Sequence, residues 1–213
     1  MFDRKPLRDD VQDEILARLI SGRLPPGERI NESRLSAELG ISRTPLREAM
    51  IGLQQRGFLA GVMGRGFVAP PLSRRGIREI LSVLALIEPE AMRLAGRPTP
   101  ALQVELGNVL SRARLEQPEP ARAAQRFYEF HRFLLRPCPN VQLRILGDHL
   151  NQHTVRYLSA AVDAGLDPSP AWAALAEMLE QLRRDDLADA SDRIVNYRRD
   201  QTDAILATLP GSE

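Results

Sequence analysis

Arg43, Thr44 and Arg47 put two guanidinium groups and a hydroxyl into the opening turns of one segment, Gly40-Ile-Ser-Arg-Thr-Pro-Leu-Arg-Glu-Ala-Met50. Ser42 is a favoured residue just before a first helical turn. Pro45 is tolerated within that turn, where an N–H has no intrahelical partner. Arg43 and Arg47 stand one turn apart and share a helix face. Such a helix end suits a DNA major groove. Its guanidinium groups can reach guanine edges in bidentate fashion, while its free N–H groups and dipole favour phosphate. Ser42 is a candidate phosphate contact as well as a cap. Were the arginines paired instead with Glu38 or Glu48, the segment would be an ordinary solvated helix start.

The elements that must position this tip are legible on either side. Leu7, Val11, Ile15, Leu16, Leu19 and Ile20 recur at helical spacing. Gly22 stops that helix, and Leu24-Pro-Pro-Gly27 is a stiff turn. Asn31 caps a second predicted helix over 32–39, which Gly40 ends; the third runs over 43–56 and ends at Gly57. Strand-like pieces are predicted at 58–60 and 67–69, joined by the hairpin tip Gly61-Val-Met-Gly-Arg-Gly66. Three helices and a hairpin make a winged helix-turn-helix domain over 1–70. Arg65 sits between Gly64 and Gly66, two glycines that let backbone approach closely. It reads either as a minor-groove or phosphate contact or as a bare hairpin tip. Pro70-Pro71 forms a short stiff linker.

Composition narrows the partners. The 213 residues carry a formal net charge of only +1 and are 43% hydrophobic. DNA binding must therefore come from placed arginines rather than bulk charge. Lys5 is the only lysine, so nearly every basic group is a guanidinium suited to bidentate contacts. Cys138, the single cysteine, excludes an internal disulfide and a cysteine-based zinc site. The opening Met-Phe-Asp-Arg-Lys-Pro is charged and no apolar run approaches membrane-spanning length. The expectation is a cytoplasmic protein with no membrane partner.

Residues 71–213 read as an all-helical bundle. Capping residues at Ser73, Thr99, Asn140, Ser169 and Asp185 punctuate predicted helices near 73–95, 99–114, 119–135, 140–164, 170–183 and 186–208. Helical bundles commonly hold ligand sites between facing helices. His149 and His153, four apart, share a helix face. With His131 they define the one constellation a helical metalloenzyme would use, but no carboxylate stands at ligand spacing except Asp148, which faces elsewhere. Phe127, Tyr128, Phe130 and Phe133 spread round one helix, and core packing explains most of them.

The first part of the chain resembles the GntR family of bacterial transcription regulators. The resemblance rests on Gly22, Leu24-Pro-Pro-Gly27, Glu32, Leu35, the run from Leu39 to Ala49, Leu53, Gly57 and Gly64-Arg-Gly66. The second part is similar to the all-helical FCD domain of the FadR-type subfamily. There the matches are Ile87-Glu-Pro-Glu-Ala91, Leu94-Ala95, Phe130-His131, Asn140 and the run from Asp186 to Ala190. A count of six helices is closer to the VanR-type branch. The resemblance implies a mainly α protein that binds a short palindromic operator as a homodimer, usually as a repressor. Its helical domain would hold a small effector, typically an organic acid. The DNA-contacting positions it implies are Arg34, Ser42, Arg43, Thr44, Arg47, Gly64, Arg65 and Gly66, with Arg34 either a backbone contact or a plain surface arginine.

Many FCD domains bind a divalent metal through an Asp four residues before a His and two further histidines on the last two helices. Here His131 is present, but Phe127 stands at the Asp position and Leu175 and Tyr197 fall where the later histidines would be. Leu84 replaces a pocket arginine of the first helix. A lone imidazole does not hold zinc or nickel tightly, so no metal or other cofactor is expected, nor any catalytic residue. These five residues are the candidate effector pocket, greasier than in the metal-bound relatives. His131 and Tyr197 are either ligand anchors or satisfied core residues. The alternative is a helical domain that only dimerises and takes no effector.

Overall fold

In the computed structural model the chain is described over residues 7–64, 66–115 and 119–209. It falls into two compact units, Met1–Leu72 and Ser73–Glu213.

The first unit is built on α1 (Leu7–Ile20), α2 (Glu32–Leu39), α3 (Arg43–Gln55), β1 (Ala60–Val62) and β2 (Gly66–Val68). Val11, Ile15 and Leu19 of α1 and Leu46, Met50 and Leu53 of α3 are buried against one another in a single apolar core. The Asn31 side chain accepts from Arg34 N at 3.0 Å and so caps α2, which Gly40 ends in the left-handed conformation. Ser42 takes the N-cap position of α3 with extended backbone, but its hydroxyl makes no capping bond.

The hairpin strands lie one or two residues from their expected places. Phe58 and Leu59 are not strand residues. Both N–H groups bond to the Leu53 carbonyl, and both side chains fill the core beneath the end of α3. The strands pair Ala60 with Val68, Gly61 with Phe67 and Val62 with Gly66. The segment before α2 adds a third edge. Ile30 N donates to Phe67 O at 2.9 Å, and Gly27 and Glu28 exchange bonds with Ala69. The hairpin is thus anchored to the turn that precedes α2. Gly64 and Gly66 have φ of +69° and +74°, a region that L side chains rarely adopt, so glycine flanks the wing tip for conformational reasons.

The second unit holds α4 (Arg74–Ala95), α5 (Pro100–Leu115), α6 (Pro120–Leu135), α7 (Val141–Asp163), α8 (Ser169–Arg183) and α9 (Leu187–Thr208). The six helices follow the expected bounds within about one residue. Helix α4 packs on α7 and α9, α6 on α7, and α8 on α5 and α9. Ser73 and Asn140 cap as expected. Two caps differ. Asp185 instead takes φ +65°, and its neighbour Asp186 caps α9 through Asp189 N. Ser169 is the first residue of α8 rather than its cap, and Asp167 accepts from its N–H at 2.9 Å. In both places the carboxylate sits where its oxygen can reach an orphan N–H of the first turn. No described helix is long and apolar enough to cross a membrane.

Candidate nucleic-acid interface and effector cavity

Helix α3 divides cleanly into two faces. Leu46, Ala49, Met50 and Leu53 are buried, whereas Ser42, Arg43, Thr44, Arg47 and Glu48 are exposed. The core thus fixes the helix while its tip projects both arginines. Arg43 Nη2 donates to Ser33 Oγ at 2.8 Å, a neutral partner on α2 that orients the guanidinium without cancelling its charge. Among the described residues no carboxylate pairs with Arg43 or Arg47. The nearby acid, Glu38, is engaged by Arg18 and Arg34, and those two guanidinium groups hold its carboxyl below the usual range. The uncapped hydroxyl of Ser42 stands at the same end.

Arg34 is exposed and bonded through Nε to Glu38 at 2.7 Å, so its positive charge is partly offset. Gly64 and Gly66 flank the wing tip; Arg65 lies outside the described residues. Met63, not singled out among the candidate residues, is a fully exposed apolar side chain at that tip.

In the helical unit Leu84, Phe127, His131, Leu175 and Tyr197 are all buried. Three of them come together. The His131 ring stacks on Tyr197 at 5.4 Å between centroids, and Phe127 lies 6.5 Å from Tyr197 and 3.7 Å from Trp172. Leu84 and Leu175 are fully buried core residues. Beside them four residues not singled out in the sequence meet in a buried polar network.

Glu88 of α4 and Arg198 of α9, both fully enclosed, form a two-point ion pair: Nε to Oε2 at 2.7 Å and Nη2 to Oε1. Asn151 of α7 bridges them, donating to Glu88 Oε1 at 3.0 Å and accepting from Arg198 Nη2 at 2.6 Å. Arg198 Nη1 donates to Gln201 Oε1 at 2.8 Å, and Gln201 Nε2 donates to the Tyr197 hydroxyl at 2.8 Å. Both hydrogens of Arg198 Nη2 are then committed to Glu88 and Asn151. His131 Nδ1, 3.1 Å from Glu88 Oε1, must therefore be the N–H that donates to the carboxylate, which leaves Nε2 facing Tyr197.

Burial alone pushes the Glu88 carboxyl up. Arg198 and then His131 outweigh it and hold the group well below the ordinary carboxylate range. Burial, then the Arg198 charge, push His131 down against the pull of Glu88, so the imidazole is neutral and its contact with Glu88 is a hydrogen bond. Burial raises the Tyr197 phenol far above its usual value. The signal for this network was available. Glu88 follows Ile77, Leu81 and Leu84 on one helical stripe, and Arg198 falls between Ile194 and Ile205 on another. Opposite charges at core positions of two helices have little reason to be there except each other.

The donor set does not fit a divalent metal. Both nitrogens of His131 face other side chains, and among the described residues no group of three His, Cys, Asp or Glu converges. His149 and His153 are half-buried with rings 4.6 Å apart, edge to face.

Residues 7–68 match the family described as bacterial regulatory proteins, gntR family, and residues 79–199 match the FCD domain. The chain is 43% identical over 76 residues to the Nta operon transcriptional regulator of Aminobacter aminovorans, an overlap of 36% of each protein. The chain thus spans about a third of that curated relative's length. Among solved structures, a protein described as a GntR transcriptional regulator from Rhodococcus sp. RHA1 superposes with a TM-score of 0.83 at 20% identity, covering 97% of this chain and all of that one. Escherichia coli McbR/YncC does so with a TM-score of 0.75 at 19% identity, covering 96% and 99%. At these identities the two structures establish a shared fold.

Proposed function

Because the chain belongs to the gntR family of bacterial regulatory proteins, with an FCD domain after its winged helix-turn-helix, and is thus a regulator and not an enzyme, we propose that it is a ligand-responsive repressor. It binds a short palindromic operator as a homodimer. The observation that carries this reading is the tip of α3, where Arg43 and Arg47 are exposed with no carboxylate on either while the opposite face of the helix is buried. Residues 1–70 supply the DNA contacts. Ser42 and Thr44 reach phosphate or base beside the arginines, Arg34 touches backbone, and the Gly64-Arg65-Gly66 tip follows the neighbouring groove. Residues 71–213 hold two copies together and hold the effector. Leu86 is 75% exposed and Ile145 59% exposed on α4 and α7, which pack side by side. Exposed apolar side chains of this kind are suited to be covered by a second copy about a two-fold axis. An effector shifts operator occupancy only by binding one conformational state better than the other. Occupancy represses by excluding polymerase from the promoter.

A second reading, in which the helical unit only dimerises, draws on the filled centre of the bundle, where Glu88 and Arg198 are committed to each other and to Asn151. Selection of duplexes from random DNA by the purified protein tests the main reading. It is expected to return one short palindrome, bound more weakly as salt rises. Recovery of no shared sequence contradicts it. A reporter placed behind that palindrome then gives the sign of regulation.

A further inference from the structure

A cavity of about 220 Å³ opens among α6, α7, α8 and α9. Phe127, Leu158, Tyr197 and Gln201 are its buried lining residues, and Val162 and Ala174 are among its partly buried ones. Asp167 and Asp200 are exposed and stand at its rim. Its lining is mostly carbon, and an apolar cavity of about 150 Å³ already accepts benzene. A single ring with a small substituent therefore fits.

Charge decides the class further. The buried cation beside the cavity, Arg198, is committed to Glu88, Asn151 and Gln201. The rim adds two carboxylates, and bonds from the Ser169 N–H and hydroxyl hold Asp167 below its usual range, so it is ionised at neutral pH. An anion entering here loses water, gains no free cation and meets two like charges. One neutral acceptor, by contrast, has a partner. Gln201 Nε2 carries two hydrogens, of which one goes to Tyr197.

We infer that this cavity binds a small uncharged monocyclic molecule, apolar apart from one hydroxyl or carbonyl oxygen that accepts from Gln201. This names the ligand class of the effector site proposed above. It rests on that reading for its regulatory consequence, and the binding stands separately. The cavity is tied to the first helix of its own unit. Tyr197, Gln201 and Ala204 lie on α9; the carbonyls of Leu206 in its last turn and of Leu209 just past its end accept from Arg74 Nη1 at 2.6 and 3.0 Å. Arg74 is the first residue of α4, the helix that follows the linker.

The single tryptophan, Trp172, lies flat on Phe127, so occupancy of the cavity reads out in its emission. Titration of the full chain with benzyl alcohol is expected to change that emission saturably. Benzoate, of nearly the same shape, is expected to bind at least about tenfold more weakly because its carboxylate enters unpaired. Ala174→Leu, which fills the cavity, is expected to remove the response while circular dichroism is unchanged. Ala204→Leu does the same from α9, so the test does not hang on one variant folding. No saturable response to benzyl alcohol, an equal or stronger response to benzoate, or an undiminished response in both filled variants overturns the inference. DNA selection without either compound is scored separately, so failure of the regulator reading and failure of the cavity assignment are told apart.

Discussion

In the winged unit the buried residues are apolar, with Ser36 the one buried polar side chain among those described, and the arginines stand outside. In the helical unit Glu88, Arg198, Asn151, His131 and Gln201 lie inside and exposed leucine, isoleucine and valine lie outside on α4 and α7. The contrast separates two designs. In the first, the core and the proposed recognition surface use opposite faces of one helix, so either can change without the other. In the second, a charged network sits at the crossing of four helices, so the groups that shape the interior also hold it together. Burial of such a pair is weak evidence of net stability in itself, since desolvation offsets attraction. What it guarantees is a large penalty when one partner is lost.

The sharpest way to break that contrast is Arg198→Met. It strands the Glu88 carboxylate and is expected to cost about 3–5 kcal/mol in urea unfolding followed by Trp172 emission. Removing both charges, with Glu88→Met added, is expected to recover a large part of the loss. A cost below about 1 kcal/mol for the single variant would mean that the ion pair is not a core contact.

Acid sharpens the comparison next. His131 is pushed below its ordinary 6.5 by burial and Arg198. The unfolded chain takes up that proton first, so stability is full above pH 6.5 and declines as pH falls. Glu88, held below its ordinary 4.5, adds a second decline in the same direction once pH drops under that value. The helical unit is therefore expected to lose protection in hydrogen exchange at α4 and α9 in two steps on acidification. His131→Gln is expected to remove the first. Amides of α3, whose buried face carries no titrating group, are expected to change less over the same range.

The smallest effects lie at the caps. Asn31→Ala deletes a bond to Arg34 N and is expected to cost about 1 kcal/mol. Ser42→Ala deletes none and is expected to leave stability unchanged in the same melt, while weakening DNA binding if the hydroxyl meets phosphate.

How much of this was legible follows from where the information sits. Helix bounds were readable because caps and glycines act locally: Asn31, Gly40, Ser73 and Asn140 each satisfy an end within three residues. The hairpin was displaced because Phe58, a good strand former, and Leu59 are drawn into the core by the end of α3, a tertiary effect that no local pattern contains. The α3 tip was readable as a site because its residues are contiguous. The interior network was only half legible: the apolar stripes around Glu88 and Arg198 mark two buried charges, but these residues and Asn151 are far apart in sequence and only the fold makes them neighbours. Leu84 and Leu175, placed by resemblance in a pocket, are fully buried.

The central claim is that sequence recognition resides on the exposed tip of α3 and that this tip has no part in holding the fold. Comparing the wild-type chain with Arg43→Ala/Arg47→Ala tests it most directly, by binding to the selected operator against an unrelated duplex, beside thermal melts of both proteins. The account predicts unfolding free energies equal within about 0.5 kcal/mol and loss of preference for the operator by about 1–3 kcal/mol per arginine. Undiminished preference for the operator in the double variant would contradict it.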